Sequence, residues 1–142
     1  MKDNTYESMA KVGETVMNDT NFCGVIAVAT ACRVSFGKAR AELKKQGRRD
    51  KKGSPLPYIE RATKRLGYEA KLIASWGDKM PSTLNIAKAY PVGVYYVLMN
   101  SHIFTMVNGR INDWMKERID TKGARARSRV YRVYQITQNK GD

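Results

Sequence analysis

The chain holds one histidine and two cysteines among its 142 residues. It contains no paired histidines and no CxxC, so a metal cluster finds no support, and it lacks GxxxxGK[ST], so a phosphate loop finds none either. No cofactor and no metal are expected. The longest apolar runs, GVIAVATAC and PVGVYYVLM, fall well short of the ~18 residues that a membrane span needs, so no membrane partner is expected. The opening MKDNTYESMAKVGETVM has no apolar core of the secretory type, and with so few cysteines a reducing, cytoplasmic setting is expected. No repeat recurs at periods of ~20–50 residues, which excludes a solenoid. Acidic residues are scarce as well: 13 Asp+Glu stand against 26 Lys+Arg, for a formal net charge of +13.

What is present begins with that charge. It bunches between Lys38 and Lys52 and again in a basic C-terminal segment, residues 116–132. Two readings stand side by side. Arg48, Arg49, Lys51, Lys52, Arg125, Arg127 and Arg129 are candidate phosphate contacts to nucleic acid, with an affinity that falls steeply with salt. Alternatively the charges form a solvated surface that keeps the protein in solution. Tyr95, Tyr96, Tyr131 and Tyr134 are read as sheet residues before a base-stacking platform, although RSRVYRVYQ interleaves aromatic and basic residues as an RNA-binding surface would.

A hydrophobic content of 42% over this length is enough for one core, so a single domain spanning 1–142 is expected. A short helix around Tyr6 to Val16, interrupted by Gly13, precedes the polar loop MNDTN. GVIAVATACR then reads as a buried helix on its length and alanine content. Ser35 is placed to cap an amphipathic helix with Phe36, Ala39 and Leu43 on one face and Gly47 as its stop. YIERATKRLG repeats the pattern with Ile59, Ala62 and Leu66 inward. YEAKLIA reads as a strand and TLNIAKAY as a short helix ending before Pro91. The remainder, VGVYYVLM, HIFTMVNGRINDW and RVYRVYQI, has the Val, Ile and Tyr content of strands, and Asn108-Gly109 is a type I′ hairpin signal. The expectation is an α+β fold with N-terminal helices packed on a C-terminal antiparallel sheet.

The two cysteines differ in context. Cys32 ends the apolar helix and reads as core. Cys23 follows a polar loop and heads the helix, where unpaired backbone N–H groups and the helix dipole favour a thiolate. The lone His102 opens a strand and is the one imidazole able to take the thiol proton and return it to a leaving group. If the Asn108-Gly109 turn pairs Val107 with Arg110, the register makes Asp113 a diagonal neighbour of His102, ~7–8 Å away between backbones. Asp113 is then the candidate that orients the imidazole, with Asn112 as the alternative on the opposite face of its strand.

The cysteine heading NFCGVIAVATA, the histidine in SHIFTMV and the acid after the hairpin in NGRINDW resemble, in that order, the papain-like cysteine peptidases. The likeness is greatest to compact bacterial and phage members, including bacteriocin-processing peptidase domains, and spans roughly residues 16–114. It implies a papain-like fold and a peptidase or isopeptidase acting on a protein or peptide through a Cys23 thioester, with His102 and Asp113 completing the triad, in a host cytoplasm if the protein is phage-encoded. One departure is plain. Such enzymes carry a glutamine shortly before the cysteine as an oxyanion donor, and no glutamine precedes Cys23 here. Asn18 is the expected replacement and Asn21 the alternative. A papain-like fold used as a basic module that binds nucleic acid or a host protein is the competing reading.

Overall fold

The computed structural model describes residues 6–16, 21–100, 102–112 and 129–139. Helix α1 (Tyr6–Lys11) runs into a π-helical turn, Val12–Val16, and is followed by α2 (Cys23–Cys32), α3 (Phe36–Lys45), α4 (Leu56–Arg65), β1 (Tyr68–Ser75), α5 (Thr83–Ala89), β2 (Val94–Met99), β3 (His102–Val107), β4 (Arg110–Asn112) and β5 (Val130–Gln138). The described residues therefore form an α+β structure. The N-terminal helices precede most of the sheet, and β1 and α5 stand where YEAKLIA and TLNIAKAY are expected to form a strand and a short helix.

Each N-terminal helix forms for a reason visible in its residues. From Gly24 to Cys32 every residue of α2 except Thr30 is buried, as expected of a helix that is apolar all round. Arg33 closes it in the left-handed conformation, its N–H donating to the Ala29 carbonyl. Ser35 Oγ accepts from the Lys38 N–H at 3.1 Å and so caps α3, which buries Phe36, Ala39 and Leu43. Helix α4 starts after Pro55, with Pro57 in its first turn, and buries Ile59 and Ala62.

The five strands form one antiparallel sheet in the order β1-β5-β2-β3-β4. The last strand in sequence is thus inserted between β1 and β2. The hairpin has the expected register: Val107 pairs with Arg110 and Thr105 with Asn112 across a turn in which Asn108 and Gly109 both have positive φ, at 50° and 77°. Asn108 Oδ1 also accepts from the Gly93 N–H at 2.8 Å, which ties the turn to the start of β2.

The sheet is covered on both faces. Tyr96, Leu98, Ile103, Tyr134 and Ile136 pack against α2, α3 and α4. Val97, Phe104, Met106 and Val133 pack with Ile86 of α5 on the other side. Two polar contacts fix α2 on the sheet. Thr105 Oγ1 donates to the Ala27 carbonyl at 2.7 Å, inside the core. Cys32 sits against the hydroxyls of Thr63 and Tyr96, which joins α2, α4 and β2. Thr63 Oγ1 donates to the Ile59 carbonyl at 2.7 Å and shares a 2.7 Å hydrogen bond with the Tyr96 hydroxyl.

Thr105→Val removes the hydroxyl that fastens β3 to α2 while keeping side-chain shape. Because the helical carbonyl keeps its own backbone partner, the expected cost is modest, roughly 1–2 kcal/mol. A urea titration reads it as a lower midpoint at unchanged slope, and an unchanged midpoint would show that this bond contributes nothing net.

Candidate active site

Cys23 is the first residue of α2 and is partly buried against the helical core. The first intrahelical bond runs from the Ile26 N–H to the Phe22 carbonyl at 2.9 Å, so the thiol stands at the end of the helix where backbone N–H groups converge. Phe22 provides no side-chain cap. Its ring instead meets Phe36 edge-on at 5.6 Å, which holds the entrance to the helix against α3.

A cavity of about 370 Å3 opens beside the thiol. One wall is the α3–α4 connection and the start of α4, with Gly53, Ser54, Pro55, Leu56 and Ile59. The opposite wall is the end of the sheet, with Leu98, Met99, His102, Ile103 and Tyr131. Cys23 and His102 thus border one cavity although they lie in different layers of the fold and far apart in the chain. The lining is mostly apolar with a few polar groups, as expected of a small ligand site.

The alternation of β3 qualifies how the imidazole approaches. Ile103 and Thr105 face α2, whereas Phe104 and Met106 pack in the opposite layer. His102 shares the side of Phe104, its ring 6.1 Å from the phenyl centroid. As the first residue of its strand, paired with Met99 where β2 turns into β3, it borders the cavity from the sheet's end and not from the face that carries α2, α3 and α4.

Gly24, next to Cys23, is set by packing. A Cβ there would lie 2.9 Å from Ser54 Cβ and 3.2 Å from Ile59 Cδ1, so the loop ahead of α4 rests directly on the helix N-terminus. Ser54 was not singled out by sequence reasoning. Its hydroxyl is buried with no hydrogen-bond partner among the described residues, and the residue lines the cavity. The one hint in the sequence is its place between Gly53 and Pro55, which reads simply as a loop.

The other expected residues are distributed as follows. Asn21 does not border the cavity; with φ at 53°, it donates its side-chain amide to the Lys51 carbonyl at 2.8 Å and so anchors the basic loop to the start of α2. Asn18, Asp113, Arg125 and Arg127 lie outside the described residues. Arg49, Lys51 and Lys52 are exposed, but Arg48 is only 3% exposed, which withdraws it from any surface contact with phosphate. Arg129 is exposed and borders a second cavity, which shares Met99 and Tyr131 with the first. Tyr95, Tyr96 and Tyr134 are buried sheet residues, so a stacking platform built on them is excluded, while Tyr131 is partly buried at the cavity wall.

Cys32 is a core thiol. Burial pushes its pKa up to about 12, more than the neighbouring hydroxyls of Tyr96 and Thr63 bring it down. It is 2% exposed, and neither cysteine is in a disulfide. Among the described residues no group of three or more His, Cys, Asp and Glu is placed to hold a metal ion, and no helix is long and apolar enough to cross a membrane. Comparison with protein-family models, with curated proteins and with solved structures finds no match. What the fold defines is therefore the class alone: an α+β protein whose antiparallel sheet carries helices on both faces.

Proposed function

We propose that the cavity is the active site of a papain-like cysteine hydrolase that cleaves a peptide or isopeptide bond. The observation that supports this reading is the meeting of Cys23, at a helix N-terminus, and His102, the lone histidine of the chain, on one partly apolar cavity. In the proposed reaction His102 takes the thiol proton, and the sulfur attacks the carbonyl carbon of the substrate. The C–N bond breaks as the imidazolium returns the proton to the leaving amine, leaving a Cys23 thioester. Water then attacks the thioester, His102 accepts its proton, and the C–S bond breaks to regenerate the thiol. Backbone N–H groups at the start of α2 supply donors for the oxyanion. Asp113 keeps its proposed role as the group that orients His102, and Asn18 as a further oxyanion donor.

The test is the rate at which iodoacetamide alkylates Cys23 as pH is varied. A thiol paired with His102 reacts well below pH ~8.5, and in His102→Gln the rate follows an ordinary thiol titration. If Cys23 of the unaltered protein already titrates as an ordinary thiol, the pairing is wrong and the basic-module reading gains.

A further inference from the structure

Resting on the reading of Cys23 as nucleophile, we propose that Arg129, in the cavity adjoining that of Cys23, selects an acidic side chain close to the scissile bond of a polypeptide substrate. The second cavity, of about 540 Å3, is bordered by Trp76, Met80, Asn100 and Arg129, and it shares Met99 and Tyr131 with the cavity of Cys23. Met99 ends β2 and Tyr131 lies near the start of β5, on strands paired through Met99 and Val130. The two hollows therefore lie on either side of one wall made by adjacent strand ends. An extended polypeptide advances ~3.3–3.6 Å per residue, so a chain laid over such a wall puts side chains a few residues apart into both hollows.

Arg129 is held for this task. Its Nη1 donates to the Met80 carbonyl at 3.2 Å, its backbone bridges to Ser82, and the next N–H, that of Val130, donates to the Pro81 carbonyl at 2.9 Å. A guanidinium carries five N–H donors, and among the described residues the Met80 carbonyl engages one of them. Among the described residues no carboxylate pairs with Arg129, and no Asp or Glu borders either cavity. A carboxylate is the natural complement of that planar fork, and the Trp76 indole provides an apolar flank for the methylenes of a glutamate. The net charge of +13 would draw an acidic chain to the protein. Phosphate shares the complementarity of a carboxylate, but the thiol requires an acyl carbon and the buried Tyr95, Tyr96 and Tyr134 offer bases no stacking surface.

The experiment uses peptidyl vinyl sulfones bearing one apolar residue, with Glu, Gln or Lys at each neighbouring position in turn. The readout is the second-order rate of Cys23 modification, normalised to that of iodoacetamide. At one position the Glu probe is expected to react roughly tenfold faster than the Gln probe, the advantage vanishing in Arg129→Gln and passing to the Lys probe in Arg129→Glu. Equal rates for Glu and Gln probes, or a Glu preference that survives in Arg129→Gln, overturns the proposal while leaving Cys23 as nucleophile. Protection of Cys23 by a single-stranded oligonucleotide and not by a Glu peptide overturns it in favour of nucleic acid. Failure of iodoacetamide itself to label Cys23 removes the nucleophile on which the proposal rests.

Discussion

Cys23→Ala is expected to abolish the hydrolysis of a mixed peptide pool, with a loss of at least ~10³-fold, because no other described side chain can form the thioester. Cys32 does not substitute. It is sealed in the core with its proton held up to about 12, whereas a nucleophile must be accessible and readily ionised. The structural cost of Cys23→Ala is small, since Cys23 is only partly buried and alanine suits the first turn of a helix. An unchanged thermal midpoint together with lost turnover therefore separates chemistry from folding. His102→Gln is expected to reduce turnover nearly as far, because a serial pathway stops when either partner is lost. Turnover that persists in Cys23→Ala would end the hydrolase reading. Salt-dependent binding of an oligonucleotide, unaffected by the same substitution, would point to the basic-module reading instead.

The second large effect concerns alkaline stability. The Cys32 thiol ionises near 9.0 when the chain is unfolded, but in the folded protein burial holds the proton up to about 12. Burial likewise pushes the Tyr96 hydroxyl well above its ordinary 10.0. Above pH ~9 the unfolded chain therefore binds fewer protons than the folded one, and stability must fall as pH rises. The contribution is fully present below pH ~9 and is lost toward pH ~12, amounting to a few kcal/mol. Chemical denaturation at stepped pH should show the loss, and Cys32→Ala should flatten the slope despite starting from a less stable protein. An equal slope in that variant would show that neither the thiol nor its contact with Tyr96 governs the alkaline limit.

The local features of the fold were legible because each rests on neighbours in the chain. Ser35 as a cap, the Phe36, Ala39 and Leu43 stripe, and the Asn108-Gly109 turn with its Val107–Arg110 register all emerged where the residues placed them. So did the contrast between the cysteines, since helix position and flanking polarity distinguish Cys23 from Cys32. The buried state of Arg48 was not legible. A basic run looks the same whether its members face water or turn inward, and only the packing of the α3–α4 connection distinguishes them.

Sequence by itself determined which residues form helices and strands and which thiol heads a helix, because propensity, capping and turn chemistry act over a few residues. Tertiary structure alone decided the rest. It inserted β5 between β1 and β2, laid the Gly53–Pro55 loop on Gly24, brought His102 to the Cys23 cavity round the end of the sheet, and left Arg129 facing a second hollow across the same wall. Those contacts join segments distant in the chain, and they are selected by the burial of whole faces, which no local pattern records.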